Sequence, residues 1–381
     1  MNKPIPYGKQ FLSQGDMDAV MEVLQSDFWT QGPKIGEFES AFAKYVGCTY
    51  AVAVANGTAA LHLCTLALEV NENSNVITTP LTFAASANCV LYCGGNVFFA
   101  DIDPDTLLLD INKVKELIAT KPKGFFTGII PVNFAGSAID LEAFRKLADE
   151  HEMWIIEDAC HAPGGYFIDS KGQKQFCGNG NFADLAIFSF HPVKHIACGE
   201  GGMITTNDEK LYNKLIKLRT HGITKDPALL LQNDGGWYYE MQALGYNYRI
   251  PDVLCALGIS QLSRADEGLQ RRRDIAEKYR KAFSGTNIRM PKEDHGHAYH
   301  LFIIQTDNRK ELYDHLKENN IFCQVHYIPV HLHPYYKNLG HKKGDHPMAE
   351  QYYEACLSLP MFPTLTDEEQ EYVIEKIINF K

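Results

Sequence analysis

The chain has 381 residues, 45% of them hydrophobic and 22% charged, ordinary values for a folded protein of two or three domains or of one large domain with an appendage. Its net charge of −11 argues against a nucleic-acid or anionic-membrane partner, since phosphate surfaces need basic stripes, and leaves room only for a local pocket that takes a phosphorylated small molecule. The ten cysteines (48, 64, 89, 93, 160, 177, 198, 255, 323 and 356) form no C-x-x-C pair and often sit in apolar segments, which suggests reduced thiols rather than zinc or disulfides. The start, Met1 to Tyr7, lacks an apolar signal core, and no apolar run reaches the roughly 18 residues of a membrane span, so a cytoplasmic location is expected.

In chain order, residues 1–13 read as an extended arm with Pro4 and Pro6. Met17, Val20, Met21 and Leu24 give helical spacing over 16–25, and Ile35, Phe38, Phe42 and Tyr45 do so over 34–46. Between them lies a loop, 26–33, ending in Gly32-Pro33. From Tyr50 the pattern alternates. Strands are predicted at 50–54, 75–79, 97–101, 126–132, 153–157, 184–190 and 203–206, with helices at 58–68, 84–93, 112–119 and 141–150 between most of them. Seven mostly apolar strands separated by helices predict an α/β fold with a mostly parallel sheet covered on both faces. Helices are predicted at 211–221, 251–264 and 265–283, around a Gly- and aromatic-rich loop at 232–239. The remainder, with strands at 299–305 and 322–325 and a helix at 367–378, reads as a smaller α+β domain, so the division expected is 1–250 and 251–381.

Three stretches carry chemistry. In Ile187-Phe-Ser-Phe-His-Pro-Val-Lys194, a strand runs to Pro192, which has no N–H to pair, and Lys194 follows on a loop that Gly199, Gly201 and Gly202 return to the next strand. A lysine between two core strands is desolvated, and a neutral amine can attack a carbonyl to form a Schiff base. The second stretch, Asn56-Gly57-Thr58, ends a strand and opens a helix, where free N–H groups, a close-approach Gly and a hydroxyl make an anion site or a simple capped turn. The third puts Asp158 at a strand end, where ligands of open α/β sheets bind and where a carboxylate can keep a pyridine nitrogen protonated. His161 can bond a cofactor's phenolic oxygen, orient Asp158 or be merely structural. Phe83 stacks on a flat ring or fills the core, and Ser189 offers a hydroxyl to phosphate. Lysine, carboxylate and phosphate cradle together are what pyridoxal 5′-phosphate (PLP) requires. His326, His331 and His333 have no acidic or Cys partner at telling spacing, so no metal is expected.

Asn56-Gly-Thr-Ala-Ala-Leu61, Glu157-Asp-Ala-x-His161, Phe188-Ser-Phe-His-x-x-Lys194, Gly199-Glu-Gly-Gly202 and Gly245-Tyr-Asn-Tyr-Arg249 follow one another in an order that resembles the DegT/DnrJ-type nucleotide-sugar aminotransferases over essentially the whole chain. The resemblance implies a fold-type I, aspartate-aminotransferase-like PLP transferase in which Lys194 forms the Schiff base and Asp158 partners the pyridine nitrogen. Phe83 would stack, Gly57, Thr58 and Ser189 would hold the phosphate, and Asn247 would reach the neighbour's phosphate across a homodimer. Lys194, where dehydratase relatives carry His, favours transamination. Ile5-Pro-Tyr7, Trp29-Thr-Gln-Gly32, Thr79 to Asn88 and Gln324-Val-His-Tyr-Ile-Pro329 further resemble the aminotransferases of pseudaminic acid biosynthesis. There Tyr7, Asp27, Phe28, Trp29, Thr30, Gln324, Val325, His326 and Tyr327 would line the sugar-nucleotide site. The implied partners are a UDP-4-keto-6-deoxy-N-acetylhexose and glutamate. Alternatives are a different keto nucleotide sugar, such as one of the D-xylo series, an enzyme with only amino-acid substrates, and a catalytically silent PLP-fold regulator. Arg289 and Arg309, the two arginines after residue 285, are few for anchoring an α-carboxylate.

Overall fold

The computed structural model describes residues 3–380; Met1, Asn2 and Lys381, the outer ends of the expected arm and domains, lie outside the described residues. The arm gives a two-residue strand, β1 (Ile5–Pro6), and then α1 (Gln14–Leu24), α2 (Pro33–Val46), β2 (Tyr50–Val54) and α3 (Gly57–Ala67) follow. The α/β run continues with β3 (Asn75–Thr78), α4 (Ala85–Tyr92), β4 (Asn96–Phe99), α5 (Ile111–Ala119), β5 (Gly128–Ile130), α6 (Leu141–Glu150) and β6 (Trp154–Asp158). After β7 (Tyr166–Ile168) and β8 (Lys174–Phe176), a hairpin with no expectation behind it, come β9 (Leu185–Ser189), β10 (Gly202–Thr206) and α7 (Glu209–Arg219).

The seven-stranded sheet has the order β2-β10-β9-β6-β5-β3-β4. Only β10 runs against its neighbours, β2 and β9; the other pairs are parallel. Six strands therefore end at one edge, and helices cover both faces, as a sheet with apolar residues on both sides requires. Side-chain caps set several helix starts: Asn56 accepts the Ala59 N–H at 2.8 Å on α3, and Asp140 and Asp208 cap α6 and α7 in the same way.

A short pair, β11 (Ile223–Thr224) with β12 (Glu240–Met241), brackets the Gly- and aromatic-rich loop; α8 (Asp252–Leu262) and α9 (Ala265–Phe283) follow. The C-terminal part adds β13 (Phe302–Gln305), α10 (Arg309–Glu318), β14 (Ile321–Phe322), α11 (Pro334–Asn338), α12 (Pro347–Ala355), β15 (Cys356–Leu359) and α13 (Asp367–Ile378). The strand expected at 322–325 pairs only at Ile321–Phe322, with the arm at Ile5–Pro6, before a single bridge at Gln324–Ser358. β13 instead pairs with β15, a four-residue apolar run too short to stand out in the sequence.

The core changes within α9. Ala265 and Leu269 pack with Phe38, Phe42 and Phe190 of the large sheet's side, whereas Ile275, Tyr279 and Phe283 pack with β13, β15 and α13. α8 belongs to the first group, because its Cys255 and Leu262 face that same cluster. The shift of side chains from one core to the other thus falls after residue 250, inside a continuous helix.

The start of α2 has no side-chain cap of its own, since Gly32 precedes Pro33. Asp252, fully buried, supplies the cap from the start of α8: its carboxylate accepts the Gly32 N–H at 2.8 Å and the Lys34 N–H at 2.9 Å. A Cβ on Gly32 would fall 2.5 Å from the Phe28 Cβ and 2.8 Å from that carboxylate. Asp252→Ala should lower stability by about 2 kcal/mol, because two partly buried N–H donors lose their acceptor. Urea unfolding would show this as a lower midpoint at unchanged slope, with Asp252→Asn milder; a midpoint equal to the native one would exclude the cap.

Candidate functional site

The strand ends open on a cleft of about 670 Å³. It is lined from β2 by Asn56, Gly57 and Thr58, from β3 by Thr82 and Phe83, from β5 by Val132 and Phe134, from β6 by Asp158, Cys160 and His161, and from β9 by Ser189. Lys194 lines it from the loop between β9 and β10. This is the edge where parallel α/β sheets take ligands.

At one end the first turn of α3 presents the Gly57 and Thr58 N–H groups, which have no helical carbonyl to bond. A Cβ on Gly57 would come 3.1 Å from the Ser189 Cβ, so the absence of a side chain leaves the cradle open beneath the Ser189 hydroxyl. Gly202 makes the neighbouring wall, and a Cβ there would lie 2.6 Å from the Asn56 carbonyl.

Asp158 is the last residue of β6 and is 5% exposed. Its carboxylate accepts the Ser86 hydroxyl at 2.7 Å and the Cys160 N–H at 3.1 Å. Ser86 in turn lies 2.8 Å from the Thr82 hydroxyl, so a chain of hydroxyls from the start of α4 fixes the carboxylate.

The lysine loop is closed by the Phe190 N–H on the Gly201 carbonyl and the Cys198 N–H on the Phe190 carbonyl, both 2.8 Å. Lys194 Nζ lies 3.3 Å from His300 Nε2. Burial pulls the amine down to about 8, against the opposing pull of Cys160 and Asp158. The expected placement on a loop between two core strands is the one observed.

His161 is bonded elsewhere than to Asp158. The Ala135 N–H donates to its Nδ1 at 3.2 Å, and burial holds the ring neutral. Its proton therefore sits on Nε2 and donates to the Tyr327 phenol at 3.3 Å. Tyr7, His326 and Tyr327 form the wall opposite the sheet edge, with the Tyr7 and His326 ring centroids 5.1 Å apart. Phe83 is 62% exposed at the mouth, its ring facing Tyr327 at 6.1 Å.

Not every expected residue reaches this cleft. Asp27, Phe28, Trp29 and Thr30 lie outside its lining; the loop is tied back by the Trp29 indole N–H on the Leu24 carbonyl, at 3.1 Å, and Phe28 and Trp29 are more than half exposed. Gln324 is exposed, held by its backbone pairing with Ser358, and Val325 packs between two apolar clusters. Asn247 is also exposed and outside the lining, on a bridge with Thr220. His331 is buried against Glu350 at 2.9 Å, and among the described residues no group of three or more His, Cys, Asp or Glu side chains is placed to hold a metal ion. Sequence reasoning missed Ser86, Cys160, Tyr248 and His300. For Ser86 a signal existed, in that it stands one helical turn from Thr82 in a segment already singled out.

A model of the DegT/DnrJ/EryC1/StrS aminotransferase family matches residues 11–378. The Bacillus subtilis spore coat polysaccharide biosynthesis protein SpsC is 38% identical over 387 residues, covering 99% of this chain and 97% of its own length. A Campylobacter jejuni protein named UDP-4-amino-4,6-dideoxy-N-acetyl-beta-L-altrosamine transaminase is 35% identical over 384 residues, covering 98% of this chain and 97% of its own. Among solved structures, Helicobacter pylori PseC, an aminotransferase involved in the biosynthesis of pseudoaminic acid, matches with a TM-score of 0.88 at 29% identity, covering 99% of this chain and 98% of that one. Streptococcus pneumoniae Spr1654 in its PMP-form matches with a TM-score of 0.90 at 29% identity, covering 98% of each chain.

The depressed basicity of Lys194 has a direct consequence. The amine loses its proton as pH rises through about 8, so its reactive neutral fraction is already substantial near neutrality. In cofactor-free protein, acetylation of Lys194 followed by peptide mass spectrometry should rise about that midpoint. A midpoint near the ordinary lysine value of about 10.4 would mean a solvated amine.

Proposed function

We propose a substrate and a set of residue roles for this chain, which belongs to the DegT/DnrJ/EryC1/StrS aminotransferase family: transfer of an amino group from glutamate to C4 of a UDP-4-keto-6-deoxy-N-acetylhexose, giving UDP-4-amino-4,6-dideoxy-N-acetyl-β-L-altrosamine. The chain is a PLP-dependent sugar aminotransferase. When bound, PLP supplies an electron sink through which an amino group passes between donor and keto acceptor. The observation that carries the reading is the grouping, in one cleft, of the Lys194 amine, the Asp158 carboxylate and the open first turn of α3.

The residues present fit that group. Gly57, Thr58 and Ser189 would hold its phosphate, where the cradle at Gly57 has no room for a side chain. Asp158, fixed by Ser86 and the Cys160 N–H, would keep the ring nitrogen protonated, and Phe83 would stack on the ring. Lys194 would bond the aldehyde carbon. Once free, its Nζ takes the proton from Cα of glutamate in the first half of the reaction and delivers one to C4 of the sugar in the second. The neutral Nε2–H of His161 faces the same space. Tyr7, His326 and Tyr327 offer the sugar a wall of rings with polar tips. Asn247, exposed and outside its own cleft, would serve the phosphate of a second copy in a homodimer.

Support for the sugar comes from the C. jejuni relative at 35% identity, whose name states that product. The B. subtilis relative, at 38%, is named for a coat polysaccharide and supports a second reading in which another keto nucleotide sugar is the acceptor.

Two experiments test the proposal. Lys194→Ala should abolish amino transfer while the protein stays folded, and Asp158→Asn should slow it roughly 100-fold or more while PLP still binds; full turnover in the lysine variant would end the assignment. For the sugar, enzyme converted by glutamate to its amine form is freed of keto acid and given UDP-4-keto-6-deoxy-N-acetylhexoses of the L-arabino or D-xylo series. Return of the yellow aldehyde-form absorbance with the L-arabino compound alone supports the altrosamine product. Return with the D-xylo compound alone moves the enzyme to another sugar with every residue role intact.

A further inference from the structure

His300 is the one group in the cleft within hydrogen-bond reach of the lysine amine, at 3.3 Å among the described residues, and neither its motif nor its position in the small domain pointed to it. It reaches Lys194 by an elaborate route. The segment 298–301 docks on the turn after β5: the Ala298 N–H donates to the Gly136 carbonyl at 2.7 Å, and the Leu301 N–H to the Ala135 carbonyl at 3.1 Å. Gly136, at φ 105°, passes so close that a Cβ would lie 2.8 Å from the Tyr299 nitrogen and 3.0 Å from that of His300. From the other side Arg272 of α9, 2% exposed, donates to the Tyr299 carbonyl at 3.1 Å and the Met361 carbonyl at 2.9 Å. A buried guanidinium spent on backbone carbonyls, with no carboxylate partner among the described residues, ties the loop that carries His300 to the segment at Met361.

The ring itself is 4% exposed, and its Nδ1 is buried with no partner among the described residues. Its surroundings keep it neutral: burial first, then Lys194, His161, His195 and Arg272, all of which oppose a second positive charge. A lysine ammonium has only donors, so the Nε2 of that neutral ring is its acceptor. Around the amine stand also Cys160 and Asp158 beyond β6, the Arg272 guanidinium, and the rings of His161, His195 and His326, which burial keeps neutral.

We propose that His300 is a positioning residue for Lys194: whenever the amine is not bonded to cofactor, its Nζ rests in a hydrogen bond to Nε2 of a neutral His300, which holds it inside the cleft and on line for the next proton transfer. The inference rests on the reading of Lys194 as the cofactor lysine. It adds that the small domain, docked through Gly136 and Arg272, supplies the place where that lysine waits.

The test uses His300→Leu, which removes the acceptor, and His300→Gln, whose amide oxygen reaches a similar distance. In cofactor-free protein, acetylation of Lys194 should follow a midpoint near 8 in the native chain. It should fall by roughly one unit in the Leu variant, where a buried ammonium has lost its acceptor, and return toward the native value in the Gln variant. In loaded enzyme mixed rapidly with glutamate, the limiting rate of conversion to the amine form should fall roughly 10- to 100-fold in the Leu variant, with the half-saturating glutamate concentration unchanged, and recover in part with Gln. A native acetylation midpoint together with a native limiting rate in the Leu variant would overturn the proposal. Equal loss in Leu and Gln would overturn it too, by reducing His300 to a packing residue. Should the Leu variant not fold, His300→Phe keeps the ring's bulk without the acceptor and carries the same two measurements. Borohydride trapping of PLP on Lys194 in the native protein is read separately, so a failure of the lysine assignment is distinguished from a failure of the His300 role.

Discussion

An amine that must lose its proton near neutrality cannot stand in bulk water, and an amine that must move cannot be walled in. The loop between β9 and β10 meets both demands by being short of side chains where it touches the sheet edge. Gly201 lies where a Cβ would come 3.1 Å from Ile250 Cδ1, and Gly202 where one would strike the Asn56 carbonyl carbon at 2.6 Å. The second contact matters most, because Asn56 is the residue that caps α3. The lysine loop and the phosphate-type cradle are thus packed directly on each other, and neither can shift without the other. Desolvation then follows from the packing, and the depressed basicity of Lys194 follows from desolvation.

The same economy of contact governs how the C-terminal part enters. Its cleft residues, His300, His326 and Tyr327, come from segments outside its helices and strands. Each is held by a polar contact to something rigid. His300 is held through the carbonyls that Arg272 and Gly136 fix. His326 is held by its Nδ1, 2.9 Å from the Ser358 hydroxyl on β15, and by Tyr352, whose hydroxyl donates to its carbonyl at 2.7 Å. Tyr327 is held by His161 at 3.3 Å. Loops carry the chemistry while strands and buried polar pairs set its position.

How much of this could be read from the residues alone follows from the range of the interactions involved. Lys194, Asp158, Gly57 and Ser189 were legible because each stands within a few residues of a strand end, where local pattern and topology coincide. Ser86 and His300 act through contacts 72 and 106 residues away in sequence, and no periodicity encodes such contacts. The position of the loop 27–30 outside this chain's cleft lining has a related origin: Trp29 is tied to Leu24, and the helix that follows is capped by Asp252, 220 residues from Gly32. In the C-terminal part the strand expected at 322–325 failed because its pairing partner is the N-terminal arm, two residues long, rather than a neighbouring run.

The charge lining the cleft bears on what it selects. Among the described residues, Lys194 is the one lysine or arginine in the lining. The two arginines after residue 285 are committed elsewhere, Arg289 to Asp307 at 3.0 Å and Arg309 over the Tyr353 ring. A site built to prefer one amino acid over another would present a fixed guanidinium to the α-carboxylate, since a planar fork pairs with a carboxylate bidentately. Apart from the carboxylates of Asp158 and Glu200, the walls here offer rings with polar tips and hydroxyls, groups that discriminate by hydrogen bonding and shape and suit a sugar's oxygens. Anions are left to the N–H groups at the start of α3 and to whatever a second copy brings. On the proposed reaction, the amino donor of the first half would need only to be accepted, while the keto sugar of the second would have to be recognised. For the keto sugar proposed above, the rings of Tyr7, His326 and Tyr327 are the groups that would read its shape.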